Sequence, residues 1–305
     1  MLACLDCSAA QTGAGILSAL DARNTTAKTK GTGGLLQVSS YLTGVSGGSW
    51  LVSSMLFNEF PDIRDLVLGN TDTGGSLNGW LLERDLLQPN PNSTDPQNAH
   101  YYAYVLVFAI LDIYSTRYSD IVRKVVDKGQ TGIDISLTDV LSGGLAYHFL
   151  SGLGDPNSTD TITTEENFFT NDTSHGTGII WSNMINIPTF QKREFPLPIV
   201  AAAARTPAPS NASQGALSST QFEFTPWEFG SYDPDLSAFV DIQFMGTQLI
   251  NGEPANASAC VTGFDQTSFI FGTSGSLFHV GIYSSIHLCL TLNRLSSDLA
   301  KSPTF

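Results

Sequence analysis

Charged side chains are scarce in this chain: Asp, Glu, Lys and Arg make up 14% of its 305 residues, against about a quarter in an ordinary soluble domain. The scarcity falls hardest on the cations. Lys and Arg number 14 against 28 Asp and Glu, a formal net charge of −14. That balance argues against nucleic acid as a partner and against strong docking on anionic membranes, since both require basic surfaces. Cysteine is sparse too. Cys4, Cys7, Cys260 and Cys289 are too few for a disulfide-built scaffold and leave three pairings open if all are oxidised. Cys4-Leu5-Asp6-Cys7 has C-x-x-C spacing, but no second such pair or His pair completes a zinc site. No metal or organic cofactor is expected. Long apolar runs are missing as well. The longest, Ala103 to Leu111, is cut off by Asp112 and is too short to span a bilayer. Met1-Leu2-Ala3-Cys4 lacks the basic region and sustained apolar segment of a signal peptide.

Apolar residues are plentiful, at 42%, ample for a packed core of one large domain. N-x-[ST] sequons are plentiful too: Asn24, Asn92, Asn157, Asn171, Asn211 and Asn256 each begin one. Most lie in polar, loop-like stretches able to carry a glycan. The expectation is a secreted or cell-surface glycoprotein whose true N-terminus, with its secretion signal, precedes this sequence.

Along the chain, Gly13 to Ala22 reads as a glycine turn followed by an amphipathic helix, and Gly31 to Gly34 as a break. Residues 69–100, rich in Asn, Gly, Asp and Pro, and the polar residues 154–178 read as long surface excursions. Residues 101–127 carry apolar side chains at helical spacing. Phe195 to Ala204 predicts a buried strand, residues 205–220 a loop, and Gln221 to Thr225 an alternating strand. Strands mixed with helices give an α/β class, in which long insertions act as substrate-binding caps.

The most informative words are Gly44-Val45-Ser46-Gly47-Gly48-Ser49-Trp50. A β-prone run, Tyr41-Leu42, leads in, and a helix-like run from Trp50 to Phe57 leads out. A serine at such a corner stands exposed on a sharp turn, because glycines on both sides remove Cβ clashes. The backbone N–H groups of Gly47 and Gly48 then point past it at the helix N-terminus, where a developing oxyanion is best stabilised. Ser46 is the candidate nucleophile, and Gly47 and Gly48 the candidate oxyanion donors.

Taken with Gly13-Ala14-Gly15 and Gly34-Leu35-Leu36-Gln37, this elbow resembles fungal lysophospholipases (phospholipase B), relatives of cytosolic phospholipase A2. The segments Ile135 to Asp139, Phe222 to Ser231, Gly263-Phe264-Asp265 and Phe271 to Phe278 resemble that family too. The likeness covers about residues 12–279. It implies a patatin-like, three-layer hydrolase core with a nucleophile elbow and cap-like insertions. It also implies attack by Ser46 on a phospholipid or lysophospholipid ester through an acyl-enzyme, on substrate drawn transiently from a membrane or micelle surface. The family's base is an aspartate in a D-G-G-like segment, and an upstream S-G-G-G-x-R segment supplies oxyanion N–H groups and a phosphate-holding arginine. Neither piece is matched here: residues 3–10 read Ala-Cys-Leu-Asp-Cys-Ser-Ala-Ala, with Ser8 at the arginine position, and residues 280–305 contain no D-G-G. Asp298, followed by Leu299-Ala300, does not replace it. The chain is therefore expected to be a single catalytic domain, residues 1–305, incomplete at both ends. The alternative is a remnant that keeps the fold, and lipid binding, without turnover. A third reading is an ester hydrolase or acyltransferase of another substrate class.

Other candidates carry plainer readings. Gly272-Thr273-Ser274-Gly275-Ser276 contains a second G-x-S-G word, better suited to a structural turn than to a nucleophile. His100, His148, His175, His279 and His287 leave a Ser-His-Asp triad open, though none has a recognisable context, and His148 suits a satisfied helical histidine. The aromatics of Phe222 to Ser231 suit an acyl channel or the core equally.

Overall fold

In the computed structural model the chain is described at residues 5–70, 74, 77, 79–80, 125, 128–130, 133, 135–150, 178–204, 219–247, 249–250, 253–255 and 262–275. Helices α1 (Leu5–Leu20), α2 (Thr25–Lys30) and α3 (Leu35–Val38) lead to strand β1 (Tyr41–Val45), followed by α4 (Gly47–Phe57) and α5 (Ile63–Leu68). Next come α6 (Leu137–Phe149), a 3-10 helix over Trp181–Asn186 and α7 (Pro188–Gln191). Strands β2 (Leu197–Ala203), β3 (Gln221–Phe224), β4 (Glu228–Ser231) and β5 (Ala238–Asp241) complete the main sheet. A small pair, β6 (Leu249–Ile250) and β7 (Glu253–Pro254), precedes the last described helix, α8 (Thr267–Ser274).

The sheet is mixed and ordered β1-β2-β3-β4-β5. β1 runs parallel to β2, with Gly44 opposite Val200 and Val45 opposite Ala201, and the remaining pairs are antiparallel. The expected strands at 195–204 and 221–225 are β2 and β3. Alternation along β2 buries Pro198, Val200 and Ala202 and leaves Leu197, Ile199 and Ala201 half-buried. On β1 the matching alternation buries Gly44, half-buries Leu42 and exposes Tyr41, Thr43 and Val45. One face of the parallel pair therefore joins the core. The opposite face is open at β1, where Tyr41 and Val45 are 64% and 58% exposed. Architecture and class are α/β.

The core is organised around α4, buried continuously from Ser49 to Phe57. A helix that is buried on all sides cannot be amphipathic, and this one packs against α1, α5, α6, α8 and the sheet. Trp50, Met55, Leu56 and Phe57 are each fully buried, worth about 1.5–3 kcal/mol apiece relative to exposure. The Phe149 ring of α6 lies between two tryptophans, 5.2 Å from Trp50 and 4.8 Å from Trp80. Trp80 donates its indole N–H to Ser54 Oγ at 2.9 Å. The chain thus enters the core within the stretch expected to be a surface excursion, because a tryptophan there has both an apolar cavity and an acceptor for its N–H. Ahead of α6, Lys128 Nζ pairs with Asp139 Oδ1 at 2.5 Å, while Asp139 Oδ2 accepts the Ser136 N–H and hydroxyl at 2.7 and 2.8 Å. That carboxylate satisfies the helix N-terminus and the buried cation at once.

One expectation is corrected. Gly13 and Gly15 do not form a turn: α1 already begins at Leu5 and passes through both. Ala10 and Ala14 are buried beside Gly13, where a Cβ would lie 2.9 Å from Leu51 Cδ2 of α4. The glycine serves helix–helix approach rather than chain reversal. The break at 31–34 holds: Gly31, with φ 83°, ends α2, and Gly34, with φ 114°, precedes α3. The helix expected over 101–127 and the excursion over 154–178 fall almost wholly outside the described residues.

Two buried carboxylates respond oppositely to pH. Around Asp21, burial works to raise the carboxyl. Hydrogen bonds from the Arg23 side chain and backbone and from Gln37, together with the Arg23 charge, outweigh burial and hold it below its ordinary 3.8. Arg23 also donates to Phe60 O at 2.5 Å, so the group ties the end of α1 to α3 and to the segment after α4. At Asp265 burial dominates. Its Oδ2 accepts the Ser182 N–H at 2.8 Å, its Oδ1 has no partner among the described residues, and nearby Asp241 adds repulsion, so the carboxyl is pushed above 3.8. Asp21 therefore contributes stability above pH 3.8 that is lost as pH falls through its depressed value. Asp265 contributes stability below pH 3.8 that is lost as pH rises through its elevated value. Thermal melts across pH check both signs: Asp21→Asn flattens the acid limb, and Asp265→Asn reduces the loss of melting temperature as pH rises above 3.8.

Candidate active site at the Ser46 elbow

β1 becomes α4 within one residue. Ser46 has φ 53° and ψ −128°, a conformation that costs a non-glycine residue about 1–3 kcal/mol and persists only when its surroundings hold it. Gly44 makes room for the reversal: a Cβ there would sit 2.6 Å from Gly48 O and from Ser49 Cα. Gly48, by contrast, faces open space, with nothing within 4 Å of its absent Cβ. Gly47 and Gly48 open α4, so their N–H groups lie ahead of any intrahelical acceptor and point out of the helix at its positive end.

The elbow is interlocked with the C-terminus of α8. Ser46 N–H donates to Ser274 Oγ at 2.8 Å, and Ser274 Oγ donates to Ala201 O on β2 at 2.6 Å. Trp50 Nε1 donates to Phe271 O at 3.1 Å, satisfying a carbonyl in the last turn of α8. Ser49 donates twice to Ser46 O, from N–H at 2.9 Å and from Oγ at 2.5 Å. The second glycine-serine word is therefore not a turn between elements. It is the end of α8, closed at Gly275, whose absent Cβ would lie 3.7 Å from the Trp50 ring. Neither Ser274 nor Trp50 was singled out as a site residue in the sequence. The recurrence of the G-x-S-G word was the available signal.

The remaining candidates lie elsewhere. Asn24 caps α2: its Oδ1 accepts from Thr26 N and Ala27 N, and its Nδ2 donates to Ser18 O at 3.0 Å. Asn92, Asn157, Asn171, Asn211 and Asn256 lie outside the described residues, as do His100, His175, His279, His287, Asp298 and the side chains of all four cysteines. His148 is buried in α6, with Nδ1 2.9 Å from Trp80 O. The same Trp80 bonds through its indole to Ser54, eight residues or about 12 Å along α4 from the elbow. Asp265 precedes α8 and Ser274 ends it, so that carboxyl and Ser46 flank opposite ends of an eight-residue helix. Phe222 and Phe224 each stack on Phe229 across β3 and β4, centroids 5.3 and 4.5 Å apart, with Phe224 buried and Phe222 and Phe229 half-buried. Among the described residues no three His, Cys, Asp or Glu side chains converge to hold a metal ion.

A mixed α/β sheet whose parallel strand turns at a strained serine into a buried helix defines a hydrolase-type elbow. A sequence model of the lysophospholipase catalytic domain matches residues 8–301, and the chain belongs to that family. It is 35% identical over 269 residues to lysophospholipase 1 of Saccharomyces cerevisiae, covering 88% of this chain and 34% of that protein. It is 33% identical over 294 residues to lysophospholipase 3 of the same yeast, covering 95% and 36%. Lysophospholipase 2 of Aspergillus fumigatus is 34% identical over 274 residues, covering 88% and 38%. The chain spans about a third of the length of these curated relatives. Among solved structures, human GIVD cytosolic phospholipase A2 aligns with a TM-score of 0.49 at 14% identity, over 89% of this chain and 26% of that one.

The two glycines of the elbow answer differently to a methyl group. Gly44→Ala forces β1 away from α4 and lowers the melting temperature, by about 2–3 kcal/mol in stability. Gly48→Ala keeps the fold and is neutral or stabilising, since alanine favours helix by about 1 kcal/mol. Paired denaturation curves of the two variants check the contrast.

Proposed function

We propose that the chain carries the nucleophile of a lysophospholipase and hydrolyses fatty-acyl esters of lysophospholipids and phospholipids. The observation that carries this is the φ of 53° at Ser46, between β1 and a helix that opens with two glycines. Ser46 Oγ attacks the acyl carbonyl carbon. The negative charge that develops on the carbonyl oxygen is met by the N–H groups of Gly47 and Gly48, in the manner of an oxyanion hole. Collapse breaks the ester C–O bond, and the departing glycerol oxygen takes the proton that Ser46 lost. Water then attacks the acyl-enzyme, releasing free fatty acid and restoring the Ser46 hydroxyl. The family resemblance assigns the proton transfers to an aspartate in a segment this sequence does not match. Substrate is a phospholipid or lysophospholipid met at a membrane or micelle surface. Among the described residues no helix is long and apolar enough to cross a membrane.

A second reading, a fold that retains lipid without turning it over, is favoured by where the buried acid-base groups are engaged. Asp265 holds Ser182, His148 contacts Trp80 O, and Asp139 is shared by Lys128 and Ser136. Losing a general base lowers a rate by about 10²–10⁴-fold. Fatty-acid release from lysophosphatidylcholine, measured from mildly acidic to neutral pH, decides between the two. The wild type releases fatty acid and Ser46→Ala abolishes it. Folded wild type that releases no more than the alanine variant overturns the hydrolase reading in favour of the second.

We also infer a secreted or cell-surface glycoprotein, from the abundance of sequons. Expressed through a secretory pathway, the protein gains mobility on treatment with an N-glycan-cleaving enzyme, and an unchanged mobility overturns this. Asn24 carries least of the glycan, because its amide is occupied with Ser18.

A further inference from the structure

The parallel ladder between β1 and β2 ends at the elbow, with Val45 opposite Ala201. Leu197 N–H donates to Ser40 O, and with Tyr41 opposite Leu197 this sets the phase of the ladder. Even-numbered residues of β1 turn their N–H and C=O groups towards β2. The next rung after Gly44 would run from Ser46 N–H to Ala201 O. β1 ends at Val45, opposite Ala201, and here the Ser46 N–H donates to a side chain. One hydroxyl links that N–H to the Ala201 carbonyl. Ser274 Oγ accepts the Ser46 N–H at 2.8 Å and donates to Ala201 O at 2.6 Å.

We propose that Ser274 is the positioning residue of the Ser46 nucleophile, its hydroxyl bridging the Ser46 N–H to the β2 backbone and holding the strained residue in its reactive conformation. This rests on the reading of Ser46 as nucleophile. A hydroxyl suits the task because it accepts and donates at one atom, where a methyl group does neither. Ser274 is itself fixed. It ends α8, whose Phe271 carbonyl is bound by Trp50 and whose Gly275 cap lies against the Trp50 ring. The same α4 residues that follow the nucleophile therefore anchor the helix that steadies it. Holding the Ser46 backbone sets the direction of its side chain, and with it the relation between Oγ and the first N–H groups of α4. Small errors in such geometry cost large factors in rate. Ser274 does not touch the reacting atoms in this scheme. It acts through the backbone of Ser46.

The test uses a fluorophosphonate, which phosphonylates an activated serine, together with amide hydrogen exchange at Ser46. Wild type, Ser46→Ala, Ser274→Ala and Ser274→Thr are compared. Ser274→Ala is expected to lower the second-order labelling rate about 10–100-fold and to speed exchange of the Ser46 amide, with helix content unchanged. Ser274→Thr keeps the hydroxyl and is expected to restore both readouts. An alanine variant that labels at the wild-type rate overturns the proposal, as does a threonine variant no faster than alanine. Wild type that resists the probe, or labelling that persists in Ser46→Ala, overturns the nucleophile reading instead. The exchange measurement then still decides whether Ser274 holds the Ser46 amide, and unaltered exchange in Ser274→Ala overturns that part too.

Discussion

A strand is converted into a helix at a single residue, and the rest of the molecule is arranged around holding that conversion in place. Ser46 occupies a backbone region that an L-residue leaves unless prevented. Three things prevent it. Gly44 lets the first turn of α4 fold back against β1. Ser49 ties down the Ser46 carbonyl, and Ser274 the Ser46 N–H. None is a strong interaction alone, since a hydrogen bond contributes about 1 kcal/mol net. Together they fix both backbone polar groups of the elbow residue.

Burial of α4 makes that fixing rigid. Because α4 is enclosed on all sides, its rotation and translation are set by close-packed neighbours, and the elbow at its N-terminus inherits their precision. α1 approaches through Gly13, α6 through Phe149, and α8 through the contacts to Trp50. Trp50 joins the two functions, with its ring in the core and its N–H on the end of α8. The elbow and the packing of the core are thus carried by adjacent residues of one helix.

Local words were readable where backbone demands are local. The glycines around Ser46 announced a tight strand-to-helix corner, and alternation at 197–203 and 221–224 announced strands, because period-2 burial is written directly in the side chains. The same rule misled at Gly13 and Gly15, since a glycine is used both for turning and for close approach, and only Leu51 across the contact distinguishes these uses. Trp80 lay within a polar, proline-rich stretch, and nothing local marks one aromatic there as core. His148 was readable as a helical histidine because its neighbours carry helical periodicity, but the acceptor of its Nδ1, Trp80 O, is 68 residues away in sequence.

The sequence by itself determined the family, the α/β class and the serine at which to look, because motif spacing and side-chain period encode backbone conformation over a few residues. What Ser274 does was decided by tertiary structure alone. Its partners, Ser46 and Ala201, lie 228 and 73 residues away, and a hydroxyl carries no mark of the acceptor and donor it will meet. Likewise the opposite behaviour of Asp21 and Asp265 was not written in either residue. It follows from what surrounds each carboxylate once the chain has folded, Arg23 in one case and near-complete burial in the other.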